Sequence, residues 1–119
     1  MSKTPQEPTV DNHFVGKDSA IRKTYDRLLT ELRKLGPIRE ELKKTSIHLS
    51  RSSALAGVRV RRDYLLLTIK ADREWSSSRV QKTERVSANR YHHEIRLAKP
   101  SDLDAELREW LANSYELSR

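Results

Sequence analysis

Between Thr45 and Ala71 apolar and polar residues trade places at nearly every second position, and no other feature limits the fold as much. Ile47 and Leu49 alternate with Ser46, His48 and Ser50. Ala54, Ala56, Val58 and Val60 alternate with Leu55, Gly57, Arg59 and Arg61. After a turn at Arg62-Asp63, Leu65, Leu67, Ile69 and Ala71 stand opposite Tyr64, Leu66, Thr68 and Lys70. Successive strand side chains point to opposite faces, so a period of two describes strands buried on one face only. Antiparallel sheets have one such solvated face, whereas parallel sheets are covered on both.

The rest of the chain is read around this sheet. Residues 79–87 form a weaker strand, because Lys82 and Glu84 interrupt the apolar side between Val80 and Val86. A turn follows at Ser87-Ala88-Asn89-Arg90, with Asn89 expected to take a positive φ. Tyr91, His93, Ile95 and Leu97 then alternate with His92, Glu94 and Arg96 in the last strand. Residues 38–44 fit either a short strand or a helical turn. Upstream, Ile21, Tyr25, Leu28, Leu29, Leu32 and Leu35 recur at helical spacing, with Asp18 or Ser19 as cap and Gly36-Pro37 as stop. Downstream, Leu103, Leu107, Trp110, Leu111 and Tyr115 form a second stripe, capped by Ser101 with Asp104 three residues on. The predicted fold class is α+β: an N-terminal helix, an antiparallel meander of about five strands and a C-terminal helix. Both helices are expected on the one apolar sheet face. Residues 1–16, with Pro5 and Pro8, read as a flexible leader, and 17–119 as a single domain of ordinary size.

Composition removes several classes of chemistry. The chain has no cysteine, which rules out disulfide scaffolding, thiol catalysis and thiolate metal sites. Its longest apolar run, near residues 64–69, is far below the roughly 20 residues needed to cross a bilayer. The first residues carry no apolar signal region, and the expectation is a soluble cytoplasmic protein without a membrane partner. The net charge is +7, concentrated in residues 43–99, where 14 basic face 5 acidic side chains; residues 100–119 carry 2 basic and 5 acidic. That asymmetry speaks to partners rather than to fold.

Several stretches resemble a bacterial domain-of-unknown-function family of the DUF5655 type. They are Lys43-Lys44-Thr45-Ser46-Ile47-His48-Leu49, Tyr64-Leu65-Leu66-Leu67 and Val86-Ser87-Ala88-Asn89-Arg90-Tyr91-His92-His93. Asp102-Leu103-Asp104-Ala105-Glu106-Leu107, followed by Trp110-Leu111, belongs with them. The resemblance spans roughly residues 12 to 118. It implies a small α+β domain, found alone or attached to longer chains, and carries no established activity.

Strand parity places His48, Arg59, Arg61, Thr68, Lys70, His92 and Arg96 on the polar face, with Glu94 the main acidic member. Arg79 and Arg85 join them if their strand keeps register, and Tyr64 offers a ring for stacking. A basic surface of this kind holds phosphate backbones or single-stranded bases; the plain alternative is that long cationic chains solvate an exposed sheet. Lys43-Lys44 before Thr45-Ser46 adds a phosphate contact through Lys44, though without the glycine-rich loop of a phosphate-binding turn. His92 and His93 are adjacent on a strand and point to opposite faces, so they cannot chelate one ion. His48 and His92 could pair only if their strands are neighbours. No metal site and no cofactor is predicted. Ser52-Ser53 and Ser76-Ser77-Ser78 lack the strand–turn–helix setting of a nucleophile, and Trp75, Trp110 and Tyr115 read as anchors.

The leading expectation is a non-catalytic binding domain that engages an anionic partner through Lys44, His48, Arg59, Arg61, Lys70, Arg85, His92 and Arg96, nucleic acid being the simplest candidate. One alternative is a protein-interaction module or homodimer, in which the basic sheet meets an acidic surface such as the C-terminal helix. Another is a small-ligand or enzymatic domain using His48, His92 and Arg96 in a pocket between the sheet and loop 72–78.

Overall fold

The structure is a computed structural model that describes residues 9–119; the leader residues with Pro5 and Pro8 lie outside that range. A helical turn, α1 (Val10–His13), falls inside the stretch read as leader. Phe14 after it packs on the core, its ring 5.4 Å from that of Tyr25. Helix α2 (Ser19–Arg33) follows, with Asp18 as N-cap accepting from the Ala20 amide at 3.0 Å. Ile21, Tyr25, Leu28, Leu29 and Leu32 are buried along it. Leu35, predicted in the same stripe, lies past the helix end and is exposed.

Six strands follow: β1 (Arg39–Leu42), β2 (Ile47–Ser50), β3 (Ala54–Val60), β4 (Leu65–Ala71), β5 (Val80–Ser87) and β6 (Arg90–Leu97). A 3-10 turn at Pro100–Asp102 leads into α3 (Ala105–Leu117). All pairings are antiparallel, and the buried residues of α2 and α3 form one cluster with those of the sheet. The α+β class therefore stands. The ambiguous 38–44 segment is the extra strand. Its Glu40 faces α2, where it accepts from the Tyr25 hydroxyl at 2.6 Å and pairs with Arg33 at 3.3 Å. Burial, and then the Glu40 carboxylate, push the Tyr25 phenol well above its usual range.

The sheet is not a strict meander. Its order is β1-β2-β3-β4-β6-β5, so the last two strands exchange places. Burial explains the exchange. In β6, His93, Ile95 and Leu97 are fully buried, whereas β5 is exposed from Gln81 to Ser87. A strand with an apolar face must sit beside β4; one carrying Lys82, Glu84 and Arg85 with little to bury belongs at an edge, where charge discourages further pairing. A second departure is a bulge: the β2–β3 register shifts between Leu49 and Ser50, and Leu55 and Ala56 are both buried despite being neighbours. The 87–90 turn contains no positive φ at Asn89, since among the described residues only glycines adopt one.

Ser101 is not the cap of α3. It lies within the 3-10 turn, and Asp104 caps the helix by accepting from the Leu107 amide at 3.0 Å. That hydrogen bond above all, joined by Arg79, holds the Asp104 carboxyl below its usual range against the opposing effect of burial. A depressed carboxylate pKa stabilises the fold above the unfolded value of about 4, and the contribution disappears as pH falls through the folded value. Asp104→Ala is therefore expected to cost about 1 kcal/mol at neutral pH. Asp104→Asn should keep much of the cap without its acid dependence. Urea midpoints of the three proteins at neutral and strongly acidic pH check this; wild type and Asp104→Ala should converge in acid.

Candidate functional site on the open sheet face

Strand parity holds across the centre of the sheet. Register aligns Glu41, His48, Gly57, Thr68, Glu94 and Lys82 in one transverse row through all six strands. A parallel row on one side contains Arg59, Leu66 and Arg96, and one on the other contains Lys70, His92 and Glu84. The helices cover the opposite face, so these rows form the open one. Its centre is concave, with a volume of about 430 Å³, and the lining includes His48, Arg59, Thr68, Lys70, His92 and Glu94 around Gly57.

Arg59, Lys70 and Arg96 form no ion pair with any described residue. Lys70 donates instead to the Ser53 hydroxyl at 3.1 Å. Burial, and secondarily repulsion from Arg90, hold its ammonium below the usual lysine range. A cation in that position has lost water without gaining a counter-charge, and an arriving anion would relieve it. Arg96 lays its guanidinium 4.8 Å from the centre of the Tyr64 ring. Tyr64 is thus occupied rather than bare for stacking. The three carboxylates on this face have cationic or imidazole neighbours, Glu94 beside Lys82, Glu84 beside His92, and Glu41 beside His48 and paired with Arg39 at 3.1 Å.

Other predicted members lie elsewhere. Arg85 pairs in register with Tyr91, whose side of β6 is the helix-covered one, and its guanidinium donates to the Ser87 and Ala88 carbonyls. Arg79 is drawn to the start of α3, 2.8 Å from Asp104 and 3.4 Å from Glu106. Arg61 lies past the end of β3 in the 61–64 turn, and Lys44 in the β1–β2 connection. His48 and His92 are on strands separated by β3 and β4, roughly 14 Å of lateral spacing, too far to share an ion. The hollow is lined by His48 and His92 but by neither Arg96 nor any residue of loop 72–78, whose Trp75 stacks on His93 on the helix side. His93 itself is the buried, hydrogen-bonded histidine that parity predicts, with Thr83 and Arg73 as partners.

Sequence reasoning put Gly57 on the parity of this face but gave it no role, and it missed Lys82 and Glu84 as members. The isolated glycine inside an alternating strand was the available signal for the first. The other two share the parity of Val80 and were read on the apolar side; a register shift between Val80 and Lys82, which no local pattern announces, turns them to the open face. Among the described residues no helix is long and apolar enough to cross a membrane, and no three metal-ligating side chains converge. Compared with known proteins, residues 10–118 match the model of the family described as Domain of unknown function (DUF5655). No curated protein and no solved structure matches the chain.

Proposed function

Because the chain belongs to the DUF5655 domain family, whose description names no activity, we propose from the site alone that it is a binding domain for an anionic ligand, held on the open sheet face. Single-stranded nucleic acid is the candidate ligand. The observation that carries this reading is the set of unpaired cations: Arg59, Lys70 and Arg96 share one face and no described carboxylate neutralises them. Like charges gathered on adjacent strands cost stability, and an anion offsets that cost. The bland reading, solvated cations on an exposed sheet, accounts less well for Lys70, whose head group is partly withdrawn from water.

Self-association through the acidic C-terminal segment is less favoured. Asp104 and Glu106 are already engaged by Arg79, and the Asp102 carboxylate accepts from the Ala98 and Lys99 amides. Glu116 is engaged by Arg119 and Arg51, which leaves Glu109 as the one carboxylate of residues 100–119 without such a partner among the described residues.

Fluorescence anisotropy with a short single-stranded oligonucleotide across a salt series tests the reading. The double variant Arg59→Ala/Arg96→Ala should bind about tenfold or more weakly, and the slope of log K against log salt should fall by about 1.4, or ~0.7 per phosphate contact. Arg85→Ala, on the other face, should change neither. Absence of binding by the wild type at low salt, or an unchanged slope in the double variant, rejects the proposal.

A further inference from the structure

Gly57 is in the middle of β3, with β2 and β4 on either side; His48 is its register partner in one and Thr68 in the other. Glycine weakens a strand interior, because it loses the most backbone freedom and packs nothing. The usual structural reasons for keeping it are missing. Its φ is not in the positive range that Gly16 and Gly36 adopt. A Cβ at this position would meet nothing nearer than His48 Cδ2 at 3.9 Å, an ordinary contact. Backbone and packing would both accept a side chain.

What the glycine leaves is bare backbone at the floor of the 430 Å³ concavity, which falls within the size range of small-ligand sites. A strand glycine without a steric reason marks a place where something else comes close to the backbone. The flanking groups indicate what. Arg59 lines one end of the hollow, with Arg96 beyond Leu66 in the same row, and Lys70 lines the other, four residues further along the strand direction and roughly 13 Å away. Arg59 and Lys70 have side chains long enough to reach inward. Between them lies a floor bordered by the His48 ring and the Thr68 hydroxyl, with the Glu94 carboxylate beyond Thr68 in the same row.

Resting on the anion-binding reading above, we infer that this floor seats the flat ring of one nucleotide, against the Gly57 backbone, with its phosphate held by the flanking cations. Ring and phosphate then contribute separately: the ring through the exposed backbone and His48, the phosphate through charge. A side chain at residue 57 should abolish the first contribution and spare the second. It should also leave the strand no weaker, since alanine or valine restores what glycine gives up in a sheet.

Isothermal titration of the full chain at low salt, with adenosine 5′-monophosphate and ribose 5-phosphate as probes, separates the two contributions. Wild type should bind the nucleotide about tenfold more tightly than the ring-free phosphate. Gly57→Val should erase that preference, keep the affinity for ribose 5-phosphate, and melt no lower than wild type. Should valine impair folding, Gly57→Ala makes the same comparison with a smaller loss. Equal affinity of wild type for both probes overturns the ring seat while leaving anion binding intact, as does a preference that survives substitution. Failure of both probes to bind also overturns it, and the oligonucleotide salt series then decides whether the anion-binding reading falls too.

Discussion

Gly36→Ala is expected to destabilise the protein by about 2–6 kcal/mol, the sum of a backbone and a packing effect. Gly36 has φ 151°, in a region that side chains rarely adopt. Holding a residue with a Cβ there costs of order 1–3 kcal/mol. The Cβ would also collide with the Tyr115 hydroxyl and lie 3.0 Å from its Cζ, and overpacking of this kind costs about another 1–3 kcal/mol. Tyr115 cannot step aside freely. It is buried, its hydroxyl donates to the Pro37 carbonyl at 3.3 Å, and the Arg51 guanidinium covers its ring at 4.2 Å. With domain stabilities of about 5–15 kcal/mol, this single methyl removes a large share. The melting temperature should fall on the order of 10–20 °C. Adding Tyr115→Phe removes the colliding oxygen and should recover part of the loss, leaving the backbone part. A melting point for Gly36→Ala close to that of wild type would show that the α2–β1 corner is not pinned in this way.

The same corner shows what a sequence can reveal. Gly36-Pro37 is a legible helix stop because the reason is local: a positive φ and a ring that cannot continue the ladder. The approach of Tyr115, seventy-nine residues along the chain from Gly36, is not local, and nothing in the pattern announces it. The sheet divides in a similar way. Alternation is a property of each strand alone, so the buried face of β3, β4 and β6 and the partnership of Arg59, Lys70 and Arg96 were readable. Strand order is a property of the whole sheet. The exchange of β5 and β6 follows from comparing how much each has to bury, while a register shift between Val80 and Lys82 turns Arg85 to the covered side and Lys82 and Glu84 to the open one. Arg79 went astray for another reason: its partners, Asp104 and Glu106, belong to a helix that the pattern could place only on a face, not at a distance. Likewise Gly57 was visible as a residue, but only the absence of strain or close contact around it gives it meaning.

Adjacent histidines in β6 should give opposite results on substitution. His93 has no exposed surface; its Nε2 donates to the Arg73 carbonyl at 2.8 Å, and its Nδ1 is 2.9 Å from the Thr83 hydroxyl. A carbonyl only accepts, so the proton on Nε2 is fixed by its partner. The ring also begins a stack, 4.2 Å from Trp75, which lies 4.4 Å from Trp110 at an interplanar angle of 3°. His93→Ala leaves a void under the stack and strands the Arg73 carbonyl, and should cost about 3–5 kcal/mol. His93→Phe keeps a ring under Trp75 but still strands the polar partners, and should cost about 1–3 kcal/mol. Thermal unfolding measures both, and tryptophan fluorescence should report solvent reaching Trp75 and Trp110 in the alanine variant first. His92 points to the open face, where it lines the hollow beside Lys70 and Glu84. His92→Ala should change stability by no more than about 0.5 kcal/mol, as surface substitutions do, and should act on ligand binding instead. If His92→Ala proved the more destabilising of the two, the assignment of faces along β6 would be inverted, and the cations of the open sheet would no longer share a side.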